Sequence, residues 1–254
     1  MSFLVFIKKE IMEAYKTPKV IILGALFLLF GIMSPLTAKY MNEILAMVGE
    51  QEGINIVLPD PTYIQSYEQF FKNIYFMMTI VIILVFAGTV AEEKSRGTAV
   101  LVLTKCLSRS GFVMGKLIAA LLVFTFTYAA STAICVYYTS LMFPQYINSS
   151  IGSALLLYWI FGCLMIALTL LVSILSKSMT IAAVTGFICY VIISAISAIP
   201  YVGKYTPGIL QGLSTELSYG IKTPGEAIIP ALITVATGVI AVTAGLIAFR
   251  KQEL

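Results

Sequence analysis

Six stretches of this chain run nearly free of charge for roughly the 18 or more residues that a helix needs to cross a hydrocarbon core. They cover about 20–36, 74–91, 117–141, 154–175, 181–199 and 228–249. In lipid each is expected to be a helix, because an open strand would leave its amides unpaired. Ahead of the first span, Leu4, Ile7, Ile11, Ala14 and Tyr15 recur at helical spacing, with Lys9, Glu13 and Lys16 on another face. That pattern predicts an interfacial helix over 1–17 with its apolar face in the acyl boundary, the alternative being a simple extension of the first helix. Pro18 favours a bend or a fresh helix start at that point.

The connections differ in character. The longest, 37–73, begins with a possible short surface helix ending near Gly49 or Gly53, turns at Pro59–Asp60–Pro61 and leads into span two through TYIQSYEQFFKN. Its acidic residues Glu43, Glu50, Glu52, Asp60 and Glu68 either attract cations or keep a loop hydrated. The segment 200–227 is rich in proline, glycine and tyrosine around the apolar piece GILQGL. It reads equally as a re-entrant segment covered by protein or as an ordinary surface loop.

Composition agrees with membrane insertion: of 254 residues, 59% are hydrophobic and 11% charged, against about 25% charged in soluble domains. The expected fold class is therefore an all-α polytopic membrane protein, a single transmembrane domain over 1–254. Twelve lysines and arginines, Lys8, Lys9, Lys16, Lys19, Lys94, Arg96, Lys105, Arg109, Lys116, Lys177, Arg250 and Lys251, fall on the side that carries both termini. Four, Lys39, Lys72, Lys204 and Lys222, fall on the other. The bias predicts cytoplasmic termini and a cytoplasmic connection between spans two and three; the expected setting is a plasma membrane, in a prokaryotic cell. The lysines before span one resemble a signal-peptide basic region, but the apolar run continues to Leu36 without an A-x-A site, so it reads as a retained span.

Candidate chemistry is sparse. The chain has no histidine, which removes the commonest general base, the usual zinc ligand and any Ser-His-Asp arrangement. Its four cysteines have no metal or redox spacing. No Asp, Glu, Lys or Arg lies within the core of a span, which disfavours an ion-coupled carrier. Hydroxyls on spans three and five, among them Thr125, Thr127, Tyr128, Ser131, Thr132, Ser194 and Ser197, either glue helices or line a path for an amphiphile. The sequence therefore predicts no enzyme, no catalytic residues, no metal and no nucleic-acid partner.

The exception is the stretch 92–116, EEKSRGTAVLVLTKCLSRSGFVMGK, with seven charged residues between two apolar spans. GFVMGK approaches a phosphate-binding loop but is one residue short, and Leu117 stands where a Ser or Thr must reach magnesium. Glu92 and Arg96 are spaced for a helical ion pair. Gly97 can end that helix and Thr98 can cap the next. Val100, Leu103 and Leu107 then form a small apolar ridge rimmed by charge, which either docks into another protein's groove or packs on the chain's own helices.

The order acid, base, Gly-Thr, apolar run, Ser-Arg and Gly-Lys opening a span resembles ABC-2 type transporter permeases. It is carried by Glu92, Glu93, Lys94, Arg96, Gly97, Thr98, Leu101, Leu103, Ser108, Arg109, Gly115 and Lys116. PDPTYIQSYEQFFKN, the six-span plan and the N-terminal interfacial helix are similar to that family too. The resemblance implies a permease subunit of an ATP-binding cassette exporter, with 92–116 as a coupling helix docking on a separate ABC-type ATPase. ATP and magnesium would be bound by that partner and no cofactor by this chain. A second permease chain, identical or a related paralogue, and membrane lipid complete the expected partners. By the same resemblance Glu93 and Arg96 brace the start of the coupling helix, with Glu92 beside them, and Gly97 and Thr98 begin it. Leu101 and Leu103 form its contact surface, Ser108 and Arg109 fix its exit, and Lys116 anchors span three at the headgroups. Many relatives have proline where this chain has Cys106, so the exit geometry departs from the family pattern. The competing readings are an ATP-independent channel or secondary carrier, and a membrane immunity or sensor subunit.

Overall fold

Helix α1, Phe3–Lys16, stops at Thr17, and α2 starts afresh at Pro18, where proline lacks only an amide that a first turn cannot use. The structure, a computed structural model, describes residues 3–52, 60–98, 108–143 and 150–252. The six predicted spans are all present as helices long and apolar enough to cross a membrane. Among the described residues there is no strand. The fold class expected from the sequence is thus the one observed.

Span one is longer than its apolar run. Helix α2 covers Pro18–Glu52 and passes through Pro35 without ending. The separate surface helix expected after Thr37 is instead a continuation of α2. Its continuation has a packing partner, α3 (Tyr63–Asn73), and Ala38 is buried. Helix α3 begins in a capping box, Thr62 with Gln65, and is itself the start of span two.

Span two is jointed. After α3 comes a π-helical turn at Ile74–Met78, then α4, Thr79–Phe86, and α5, Gly88–Ser95. A π turn points carbonyls away from the regular ladder. Here the Tyr158 hydroxyl donates to the Ile74 carbonyl at 3.0 Å and the Tyr190 hydroxyl to the Tyr75 carbonyl at 3.1 Å. At the second joint, Ala87, the buried Ser173 hydroxyl accepts from the amides of Val90 and Ala91, each at 3.0 Å, and donates to the Ala87 carbonyl at 2.7 Å. Replacing Ser173 by alanine leaves two donors and an acceptor buried and unmet. Thermal unfolding in detergent should register a loss of about 1–3 kcal/mol.

The remaining spans are α6 (Arg109–Met142), α7 (Ile151–Leu175), α8 (Met179–Ser197) and α10 (Ile228–Lys251). Between the last two lies α9, Ile209–Ser218, containing most of GILQGL. It buries Leu210, Leu213 and Leu217 and packs on α7 and α3. Ser214 donates to the Ala154 carbonyl at 3.2 Å and meets the Tyr75 hydroxyl at 3.0 Å. Of the two readings of 200–227, an ordinary exposed loop is the one the packing disfavours. Tyr219, just after α9, donates to Glu68 of α3, and this bond pushes its phenol up to about 12. A raised phenol contributes stability below its ordinary pKa, about 10, and loses that contribution as pH rises through the folded value. Tyr219→Phe should therefore remove this part of the high-pH loss of stability, as read by melting temperature between pH 9 and 12.

Aromatic rings fill the core. Tyr75, Tyr158, Phe124, Tyr128 and Phe27 form one contiguous group at edge, tilted and stacked geometries. At the end of the bundle that carries both termini, Phe6 of α1 lies 5.7 Å from Phe112, which stacks at 5.5 Å on Phe249 of α10. This stack brings the first and last helices to the base of span three.

Candidate functional site

The described flanks of the charged connection between spans two and three end at Thr98 and resume at Ser108. The run between them, with Leu101, Leu103 and Cys106 and the ridge of Val100 and Leu107, lies outside the described residues.

On the incoming flank, Glu92 and Arg96 form the expected pair at 2.7 Å, and Lys19 from the start of α2 joins Glu92 at 3.1 Å. Gly97 ends the helix. Its φ is +70°, and its amide donates to the Lys94 carbonyl at 3.1 Å, the left-handed ending that glycine takes without strain. Thr98 does something other than the forward cap expected of it: its hydroxyl donates backward to the Glu93 carbonyl at 3.3 Å. On the outgoing flank Ser108 is an N-cap, accepting from the Gly111 amide at 3.0 Å.

Lys116 is placed differently from the expectation. It is 3% exposed and does not reach outward to headgroups. Its ammonium bridges Glu93 at 2.7 Å and Glu10 of α1 at 2.9 Å, and it lies 5.1 Å from the Phe112 ring centroid. The reason is steric and electrostatic together. Gly115 leaves room for the Phe6 ring, which a Cβ there would meet at 2.5 Å, so α1 lies tight against α6 and delivers Glu10 to the ammonium. Glu93 thus braces Lys116 rather than pairing with Arg96. Its second carboxylate oxygen is buried and has no hydrogen-bond partner among the described residues.

Two further cations tie the flanks to helix C-termini, where carbonyls without intrahelical partners carry partial negative charge. Lys94 donates to the Ile174 carbonyl of α7 at 2.6 Å and to the Gln252 side chain at 2.9 Å. Arg109 donates to the carbonyls of Arg250 and Gln252 at 2.9 and 2.6 Å. The two flanks are therefore fastened to α1, span four and the end of span six.

On α1, burial alone would lower the Lys9 ammonium, but hydrogen bonds and charge from Glu13 and Glu10 more than offset it and raise its pKa. Glu13 titrates below the usual carboxylate range, chiefly through the hydrogen bond from Lys9. Both side chains are substantially exposed, so this pair adds little stability. Leu4, Val5, Met12 and Tyr15 of α1 remain exposed, as an interfacial helix requires, while Phe6 and Glu10 point into the bundle.

Between α1, the start of α2, α5 and the start of α6 lies a cavity of about 620 Å³. Its terminal end is charged, and its deeper wall is made by Val20, Val85, Phe86, Ala119, Ala120 and Val123.

Sequence reasoning found Glu92, Arg96, Gly97, Ser108 and Arg109 but missed Glu10, Lys19 and Gln252, and gave Lys94 no contact. The clue to Glu10 was a phenylalanine four residues before it, which places Phe6 and Glu10 on one helical face.

A chain whose described residues form no strand and include six helices able to cross a membrane, with both flanks of a charged connection fastened between the second and third, is a polytopic membrane component. Residues 4–254 match the ABC-2 family transporter protein family, and the chain belongs to that family. Transmembrane protein YxlG of Bacillus subtilis strain 168 is 25% identical to it over 203 residues, 79% of each chain. Members of this family are membrane components of ABC transporters rather than ATPases.

Proposed function

We propose that this chain is the permease subunit of an ATP-driven exporter, working as a pair of permease chains with two separate ABC-type ATPase subunits. The connection between spans two and three is the handle on which the ATPase docks. ATP and magnesium act on that partner, in the cytoplasm, where both termini of this chain also lie. The protein resides in a prokaryotic plasma membrane, an orientation supported by the twelve-to-four distribution of basic residues.

The observation that carries this reading is the clamping of both flanks. Displacement of a short segment between Gly97 and Ser108 reaches the rest of the bundle only if its ends are held. Glu93 with Lys116, Lys94 with the end of span four, and Arg109 with the end of span six hold them. In sequence, Leu101 and Leu103, the expected docking surface, lie between these two flanks.

Gly97→Val is the test. Among the described residues a Cβ at Gly97 would meet no atom within 4 Å, so the variant is expected to insert and fold. The left-handed φ, however, costs a β-branched residue about 1–2 kcal/mol and redirects the turn. Stimulation of the partner ATPase by the reconstituted permease should be lost while membrane insertion is retained. Unchanged stimulation, or the failure of any soluble nucleotide-hydrolysing subunit to co-purify from native membranes, would overturn the docking role.

A further inference from the structure

We infer that the outward side of α1 is a contact surface for anionic membrane lipid of the phosphatidylglycerol class, through Lys8 and Lys16 set among exposed apolar side chains. One side of the helix is taken up by the bundle, where Phe6 meets Phe112 and Glu10 meets Lys116. Leu4, Lys8, Met12 and Tyr15, at i, i+4, i+8 and i+11, share another side. Val5 and Lys16 stand at its edge, and all six are exposed. Ile7, Ile11 and Ala14, which the spacing assigns to the apolar face, are partly buried instead. The side left outward therefore carries two lysines among its apolar residues.

Lys8 and Lys16 are the uncommitted cations of this helix. Each carboxylate described at this end of the bundle has a partner: Glu10 and Glu93 hold Lys116, Glu13 holds Lys9, and Glu92 holds Lys19 and Arg96. Neither Lys8 nor Lys16 has an ion-pair partner among the described residues. Two unneutralised ammonium groups give α1 a positive outer side that draws anions from outside the chain.

The apolar residues decide what supplies that negative charge. Leu4 is 76% exposed, and Val5, Met12 and Tyr15 are at least half exposed, surface that a small soluble anion would leave in water. Just past the bend, Ile21 and Ile22 of α2 are exposed as well, so exposed apolar surface runs on from α1 into the start of span one. A helix of this kind sinks its apolar side chains into the acyl boundary, and lysines among them extend their ammonium groups to the phosphates. In phosphatidylcholine the phosphate is balanced by its own choline. In phosphatidylglycerol it is not, so that lipid offers the net charge to which two lysines respond.

The test is amide hydrogen exchange over Phe3–Lys16, with the chain in nanodiscs of phosphatidylcholine alone or of equimolar phosphatidylcholine and phosphatidylglycerol. Both leaflets then have one composition, so the result depends neither on orientation nor on any ATPase. Exchange should be slower in the anionic discs by roughly thirtyfold, a factor of about five for each lysine. The difference should shrink severalfold at about 1 M salt, where the Debye length is about 3 Å. Lys8→Gln with Lys16→Gln should remove most of it. Lys177→Gln with Lys251→Gln, which takes the same charge from exposed positions at the same end, should leave it. Leu4→Gln should speed exchange in both kinds of disc and preserve their ratio. No difference between the discs would overturn the proposal, as would an equal loss in the Lys177 and Lys251 variant. So would a difference that survives loss of both α1 lysines, which the lower hydroxide concentration at any negative surface would give. Exchange unaltered by Leu4→Gln, or protection that appears only once a soluble acidic protein is added, would overturn it too.

Discussion

Replacing Lys116 by methionine should destabilise the protein by about 3–5 kcal/mol, the cost of removing one partner from a buried ion pair and leaving the other uncompensated. The ammonium is 3% exposed and stands between two carboxylates, Glu93 and Glu10, that belong to different helices. Without it, two partly buried acids face one another across the junction of α1, α5 and α6. The melting temperature in detergent measures the loss. The more informative measurement is the cycle: in Lys116→Met with Glu93→Gln and Glu10→Gln, no charge is stranded, and the combined loss should be clearly smaller than that of Lys116→Met alone. Strict additivity would mean that the three groups do not act as one unit. ATPase stimulation by the triple variant should remain low even where stability recovers, because the incoming flank is then no longer tied to span three.

The second large effect lies in the middle of the bundle. A Cβ at Gly31 would stand 2.7 Å from the carbonyl oxygen of Ser131 and 3.0 Å from its hydroxyl, and that hydroxyl donates to the Phe27 carbonyl at 2.5 Å. Helices α2 and α6 meet here backbone to backbone, as small residues allow in membranes. Gly31→Ala forces the pair apart and should cost about 1–3 kcal/mol. Adding Ser131→Ala should not rescue it, since the nearer atom is backbone. Gly24, seven residues earlier on the same helix, gives the opposite result. Its Cβ would meet only the Thr127 methyl at 3.7 Å, ordinary contact, so Gly24→Ala should be neutral or stabilising by up to about 1 kcal/mol. Thermal melts of the two variants, side by side, distinguish a packing constraint from a general intolerance of alanine.

Much of this architecture was legible in the sequence because lipid leaves few options. Six uncharged runs had to be helices, and their order and approximate position are those observed. Helix ends were legible only where composition changed with structure. Pro18 marked one correctly. At Thr37 the residues turn polar while the helix continues to Glu52, because α3, distant in sequence, packs beside it. The joints in span two were hidden for a similar reason: nothing in IYFMMTIVIILVFAG announces a π turn, which depends on hydroxyls from Tyr158 and Tyr190 on other spans. In the charged cluster, the local pair of Glu92 and Arg96 followed from spacing alone. The pairing of Lys116 with Glu10 crosses 106 residues, and no periodicity within α1 or α6 specifies it. Its local traces were Gly115, which admits Phe6, and Phe6 itself, one turn before Glu10 on the same face.

The segmented course of span two constrains how any force could travel through it. A straight helix transmits an axial push as translation over its full length. Span two keeps helical dihedrals through Ile74–Met78 and Ala87, so it stays one rod whose hydrogen-bond ladder alone is loosened at those two places. The hydroxyls of Ser173, Tyr158 and Tyr190 meet the backbone groups freed there, so a push along the rod would strain those bonds first. A push begun beside Glu93 would reach the half of the bundle remote from the termini through α3, and α9 through the contact between the two.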